Sequence, residues 1–463
     1  MTKIRFSSLH LILCRLAVSL ATLLIVTTGC GTSPSLTATP ALPAPTPTLT
    51  SLPPAETPVP TATPIPPTPT PLPTATPIPP TPTPLPTATP IPPTPTPLPP
   101  TGIVCSAGCD FTSIQAALDD ASITDGAIIE VTDAVHTEAG IVVRKNVIIR
   151  GLGADRTIVQ AHETPGEASE RVFLVEEGAT ATLERMTIRH GRPSIQAEGG
   201  GGVMNYGTLT LSHCVVSDNT ANDGAGIYNN GTLTLLHSTV RDNLADGIAP
   251  VGFDCGSGGG IKSARGTLTL LHSTVNGNEA EGKGGGVHVS CACTAVFTNS
   301  TISGNKAAGS GGGIHAKGTL ELVNCTISKN ATSEKGGGVF IGVGGRLDYV
   351  NTIIANNVGG KNCALGGQGD YRGEGVLGIS SNNLVRDNTC SPDYAGDPLL
   401  GPLADNGGDT LTHALLPGSP AIDAISVVSC TLPTDQRGAP RPITQTSPAT
   451  PCDIGAYELQ ADE

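Results

Sequence analysis

The 463-residue chain holds 58 glycines and 41 prolines, only 3% aromatic residues, no tryptophan and 14% charged residues. Helix-rich folds are excluded because helix interiors disfavour glycine and proline. Collagen is excluded because glycine comes in clusters and not at every third position. The formal net charge of −14 repels a phosphate backbone, so nucleic acid is not an expected partner.

The N-terminus places Lys3 and Arg5 ahead of an apolar core at 16–26, with Arg15 at its border. That core is too short to span a bilayer as a helix and has the pattern of an export signal. The following Thr27-Thr28-Gly29-Cys30 resembles a bacterial lipobox. The resemblance implies a signal peptide at 1–29, acylation of Cys30 and attachment to the extracytoplasmic face of the cell membrane. Cleavage would remove three basic residues and leave 22 against 39 acidic ones, a charge of −17.

Residues 30–101 read as a stalk. Between 34 and 100 lie 28 of the 41 prolines and a single charge, Glu56, and the unit TATPIPPTPTPLP begins at Thr61, Thr74 and Thr87. Proline fixes φ and removes amide donors, so this tract is expected to run as polyproline II and to pack on nothing.

From residue 102 to 395 the expectation is an all-β, right-handed parallel β-helix with a short N-terminal capping helix. The segment TLTLSHCVVSDN (208–219) recurs as TLTLLHSTVRDN (232–243), TLTLLHSTVNGN (267–278), AVFTNSTISGN (295–305), TLELVNCTISKN (319–330) and RLDYVNTIIANN (346–357). GGGV- or GGGI-like signals fall between the copies. Each period holds strands too short to bury a face of their own, so successive coils must stack. Stacking predicts an internal column of Val216, Val240, Val275, Ile302, Ile327 and Ile354. It also predicts a turn column of Asn219, Asn243, Asn278, Asn305, Asn330 and Asn357. A propeller needs longer periods, and leucine-rich repeats need a different consensus.

The entry segments FTSIQAALDDAS (111–122), GAIIEVTD (126–133) and VVRKNVIIRGLG (142–153) resemble the start of pectin-lyase-like β-helix proteins, in which a short helix caps the first coil. Phe111, Ile114, Ala117, Leu118 and Ala121 would form its apolar face. The paired GGGI and NSTISGN motifs are similar to repeats of polymorphic outer-membrane adhesins. The run NGGDTLTHALLPGSPAIDA (406–424) with DQRGAPRP (435–442) and CDIGAYE (452–458) resembles a bacterial choice-of-anchor Q module, implying a separate C-terminal unit at 396–463.

Cys105/Cys109, Cys363/Cys390 and Cys430/Cys452 are the expected local disulfides of an oxidising compartment. Cys214 and Cys325 share the inward parity of the aliphatic column and are expected as buried thiols. Asp218 and Asp242 hold equivalent coil positions and are the weak catalytic candidates, with turn capping as their competing role. His213, His237 and His272 form a column continued by Asn299, Asn324 and Asn351, read as a ladder in preference to a metal site. Tyr206 and Tyr228 are the candidates for stacking on a sugar. No cofactor is expected; calcium alone would suit Asp387, Asp393, Asp397 and Asp405. The resulting reading is a lipid-tethered surface protein that binds, adheres or supports structure, toward a cell-wall or extracellular polysaccharide or a surface protein. It leans away from an enzyme, with a polysaccharide lyase or glycoside hydrolase as the alternative.

Overall fold

The computed structural model describes residues 101–194, 199–247, 255–367, 374–442 and 451–460. The signal segment, Cys30, the proline stalk and most of the inserted loop at 246–257 lie outside the described residues. The chain winds as an all-β, right-handed parallel solenoid with a short helix at its N-terminal end. Among the described residues the strands line up in parallel sheets of eleven, ten, nine and five strands, followed by an antiparallel pair, Leu400–Ala404 with Thr412–Leu415.

Pairing is residue for residue. Val216, Val240, Val275, Ile302, Ile327 and Ile354 are successive partners in the ten-stranded sheet, and none is more than 1% exposed. The second and fourth residues of each TLTLS or TLTLL strand, all leucines, point inward, while the threonines and the fifth residue point out. One continuous apolar core results, because every inward side chain has a near-identical neighbour one strand spacing, about 4.8 Å, above and below.

Two of the turns in each coil follow a fixed pattern. The first joins the eleven-stranded to the ten-stranded sheet through one residue of positive φ. That residue is Arg185, His213, His237, His272, Asn299, Asn324, Asn351 or Asn382, with φ between 45° and 59°. Next to it, each amide donates to the hydroxyl of the following coil: Cys214 N to Ser238 Oγ, Ser238 N to Ser273 Oγ, Ser273 N to Ser300 Oγ. The second turn passes through Asp218, Asp242, Gly277, Gly304, Lys329 or Asn356, all at positive φ. It leads into the buried asparagine column. There Asn305 Nδ2 donates to Val275 O at 2.9 Å and to Asn330 Oδ1 at 2.9 Å, while its own Oδ1 accepts from Asn278 N and Nδ2. Bent backbone that no strand can satisfy is thereby hydrogen-bonded inside the core. The GGG clusters pack against this column. A Cβ on Gly286 would stand 2.8 Å from Gly313 O and 3.0 Å from Asn305 Nδ2, so that position admits only hydrogen.

The N-terminal helix spans Ile114–Asp119 and buries Ile114, Ala117 and Leu118. It is shorter than expected: Phe111 precedes it and bridges to Val104, and Ala121 is exposed. Glu138 holds its first turn by accepting the amides of Ile114 and Gln115. The same carboxylate meets His136 Nε2 at 2.8 Å, and Asp133 meets Nδ1 at 3.3 Å.

At the other end, residues after Leu384 fold back over the outer face of the ten-stranded sheet. Thr274 Oγ1 donates to Leu411 O, Thr301 Oγ1 to Gln436 Oε1, and Ala456 N to Thr326 Oγ1. A second core forms there from Ile353, Ala355, Leu415, Ile425, Ile454 and Tyr457. The DQRGAPRP and CDIGAYE segments supply one buried charge network. Arg441 contacts Glu458 at 2.6 Å, Arg437 contacts Asp435 at 2.9 Å, and the Arg437 guanidinium lies 3.8 Å over the Tyr457 ring. Burial lifts the Glu458 carboxyl to about 7 against the pull of Arg441. These charges are so enclosed that they act as structure.

Cys105–Cys109, Cys363–Cys390 and Cys430–Cys452 are bridged, which belongs to an oxidising, extracytoplasmic compartment. Cys214 and Cys325 are buried thiols, and burial pushes both to about 12.

Two outcomes are expected from this architecture. In urea melts, Ile302→Ala is expected to cost about 2–4 kcal/mol by opening a cavity, and Asn305→Ala about 1–3 kcal/mol by orphaning buried backbone. The His136 cluster is expected to make stability pH-dependent. The hydrogen bond that His136 donates to Glu138, opposed by burial, raises His136 above 6.5. Burial opposes the shift of Glu138, but bonds from His136 and two amides hold it below 4.5. The imidazole therefore contributes fully below about 6.5 and loses its share as pH rises through the raised value. The carboxylate contributes above 4.5 and loses its share as pH falls. Destabilisation by His136→Gln should thus be largest near about pH 5–6 and shrink toward alkaline pH; a pH-independent difference between the two melts refutes it.

Candidate functional site

The most distinctive cluster stands where the C-terminal segment ends its cover of the ten-stranded sheet. The first turn of each coil needs a residue that tolerates positive φ, and histidine and asparagine do so better than most. Three consecutive coils use histidine. Register then stacks His213 on His237 at 5.1 Å and His237 on His272 at 4.9 Å, with interplanar angles of 20° and 16°. Ser212 Oγ lies 3.0 Å from His213 Nδ1, and Gln436 O lies 3.3 Å from His272 Nδ1.

Asp409 approaches this column from the C-terminal segment. Its Oδ2 is 3.4 Å from His213 Nε2 and 3.3 Å from His237 Nδ1. Its neighbours are pinned: Thr410 Oγ1 donates to His272 O, Gln436 Nε2 donates to Thr410 Oγ1, and Leu411 O accepts Thr274 Oγ1. The carboxylate is therefore held by the same bonds that dock the segment. His213, His237 and Asp409 with Ala154, Cys214, Val215 and Thr239 line a cleft of about 170 Å³. Burial and then the neighbouring His272 lower His237, while Asp409 opposes them.

Beside the histidine column lies the outer face of the eleven-stranded sheet. Thr180 and Thr182, Thr208 and Thr210, Thr232 and Thr234, Thr267 and Thr269 sit in register on four adjacent strands. The first of each pair is exposed and the second half-buried. The result is a flat hydroxyl-and-methyl plane along the solenoid axis.

The residues singled out in the sequence are distributed differently. Asp218 and Asp242 are equivalent second-turn residues, both with φ of 55°. Asp242 pairs with Arg241 at 2.6 Å. Tyr228 lies mid-strand on the nine-stranded sheet, with Lys262 Nζ 5.8 Å from its ring centroid. Tyr206 follows the preceding strand and is 37% exposed, so the two rings occupy different coil positions. Asp387 accepts the amide of Asn362 and Asp393 that of Asn383, while Asp397 and Asp405 accept the amides of Leu399 and Gly407 in their own loops. Asp409 was missed by sequence reasoning; its only signal was the NGGD start of the C-terminal motif, which says nothing of what it faces.

A family described as a right-handed β-helix region matches residues 135–294. No curated protein sequence matches the chain. Among solved structures the chain is similar to a pectate lyase, Pel9A, at 15% identity and TM-score 0.42, covering 76% of this chain and 92% of that one. It is similar to a pectin methylesterase variant in complex with a hexasaccharide at 11% identity and TM-score 0.29, covering 62% and 90%. A third is Escherichia coli YbhC at 12% identity and TM-score 0.27, covering 64% and 89%. These likenesses extend to the winding of the chain. They correct one expectation: since solved structures of this winding include a lyase and an esterase, the lean away from an enzyme does not stand.

The turn geometry at Asp242 sets an expectation. Asp242→Gly should leave urea stability within about 1 kcal/mol, since glycine accepts positive φ freely. Asp242→Val should cost about 1–3 kcal/mol through backbone strain. Equal effects of the two changes contradict the turn role.

Proposed function

We propose that the chain is a polysaccharide lyase acting on an extended uronate-containing glycan. The sugar chain lies along the threonine plane, and its reacting unit reaches the border column at His272. The observation that carries this reading is the hydrogen bonding of His272. Its Nδ1–H donates to Gln436 O, which leaves the lone pair on Nε2, the tautomer that a general base requires. In the elimination, His272 Nε2 takes the proton α to the uronate carboxyl. The electron pair forms the new double bond, the C–O bond to the leaving sugar breaks, and water protonates the departing oxygen. Arg185, exposed on the same column, supplies a positive group for a carboxylate of the extended substrate. Hydrolysis is less supported, because it needs two carboxyls about 5–9.5 Å apart and Asp409 is the one carboxylate in the cluster among the described residues. Acylated Cys30 and the proline stalk would hold this domain away from the membrane, within reach of surface or wall polysaccharide.

The test is release of unsaturated oligosaccharides from pectate, alginate and glycosaminoglycans by the full mature chain. His272→Asn is the informative variant, because Asn299, Asn324 and Asn351 already fill the same turn. It should fold normally and lose activity by about 10²–10⁴-fold. Unsaturated products at an unchanged rate remove His272 from the reaction. Glycan retention with no product from any substrate replaces the lyase reading with a binding one.

A further inference from the structure

We propose that His213 Nε2, His237 Nδ1 and Asp409 Oδ2 form a binding site for one divalent transition-metal ion. Stacking normally spreads imidazoles along a ladder, and parallel rings do not converge on a point. Here a third group from a distant part of the chain changes the geometry. The ligand atoms of the three residues all lie within 4.8 Å of one another. Two of the three edges, 3.4 and 3.3 Å, are already those of a tetrahedral ion with bonds near 2.0–2.1 Å, whose edges are about 3.3–3.5 Å. Only the imidazole–imidazole edge has to close, by a small rotation of one ring.

The surroundings are those of a built site. Ser212 Oγ at His213 Nδ1 occupies the nitrogen that does not ligate, which leaves Nε2 as the ligand and fixes the ring plane. The positive-φ turn fixes both histidine backbones, and the bonds of Thr410 fix the aspartate. Donor type selects the ion. Two imidazole nitrogens and one carboxylate suit zinc, nickel or cobalt, whereas calcium wants six to eight oxygens. The cleft beside the cluster leaves room for water or a substrate oxygen to complete the coordination.

The site also joins parts of the chain nearly two hundred residues apart, so an ion there ties the C-terminal segment to the solenoid. The three ligands lie beside His272 but are not the groups that carry the elimination, and metal binding is read without a glycan.

Metal-stripped full mature chain is titrated with zinc, nickel and calcium by calorimetry, with thermal melts in parallel. One equivalent of zinc or nickel is expected to bind and raise the melting temperature, with calcium at least about 100-fold weaker. His237→Asn and Asp409→Asn are expected to weaken zinc by about 100-fold or more, and Ser212→Ala by about 10-fold. His272→Asn is expected to keep zinc binding while it abolishes elimination, which separates failure of this site from failure of the lyase reading. Absence of zinc and nickel binding to the folded wild type, or equal affinity in His237→Asn and Asp409→Asn, overturns the proposal.

Discussion

Parallel stacking holds equivalent residues of successive coils one strand spacing apart, about 4.8 Å, and almost every feature of the molecule follows from that spacing. A side chain in this solenoid acts as a member of a column. An apolar column becomes core, as from Val216 to Ile354. A column of primary amides becomes a hydrogen-bonded wire, as from Asn219 to Asn357. A column of threonines becomes a flat plane. The same rule explains the tolerance for near-identical repeats, since a repeated residue satisfies its neighbour wherever identical groups can pack or bond to one another.

Imidazoles obey the rule less comfortably. They satisfy the turn conformation, yet three in a row bring their rings within about 5 Å of one another, where shared positive charge is disfavoured. Asparagine does the same conformational work in the coils that follow, without that tension. The histidine run therefore coincides with the place where Asp409 arrives and where the C-terminal cover stops. Backbone conformation admits these histidines, and the C-terminal segment meets them with Asp409 and the Gln436 carbonyl.

The C-terminal segment resolves two problems at once. It covers threonine and serine groups on the ten-stranded sheet that would otherwise face water, replacing solvent with specific bonds such as Ser303 Oγ to His413 Nε2 at 2.9 Å. It also ends the core with a second apolar cluster. Its internal ion network is costly to desolvate, and removing one partner would leave the other charge buried and unpaired. The most recognisable motif residues of this segment, Asp435, Arg441 and Glu458, are accordingly buried and hold the segment's own loops together.

The sequence alone determined the solenoid. Its period, its inward aliphatic and asparagine columns, the bridges Cys105–Cys109, Cys363–Cys390 and Cys430–Cys452, and the buried Cys214 and Cys325 are all local or strictly periodic properties, and periodicity is what stacking converts into contact. It determined less of the helix, because Phe111 prefers a bridge to Val104 over a place in the helical face. Asp218 and Asp242 hold equivalent coil positions, as the repeat spacing implied, and the backbone adds that both sit in turns at positive φ. Tertiary structure alone decided that Asp409 meets His213 and His237. That contact depends on a chain reversal nearly two hundred residues later, fixed by bonds such as Thr410 to His272 and Gln436 to Thr274, and no periodicity in the sequence encodes where a non-repeating segment comes to rest.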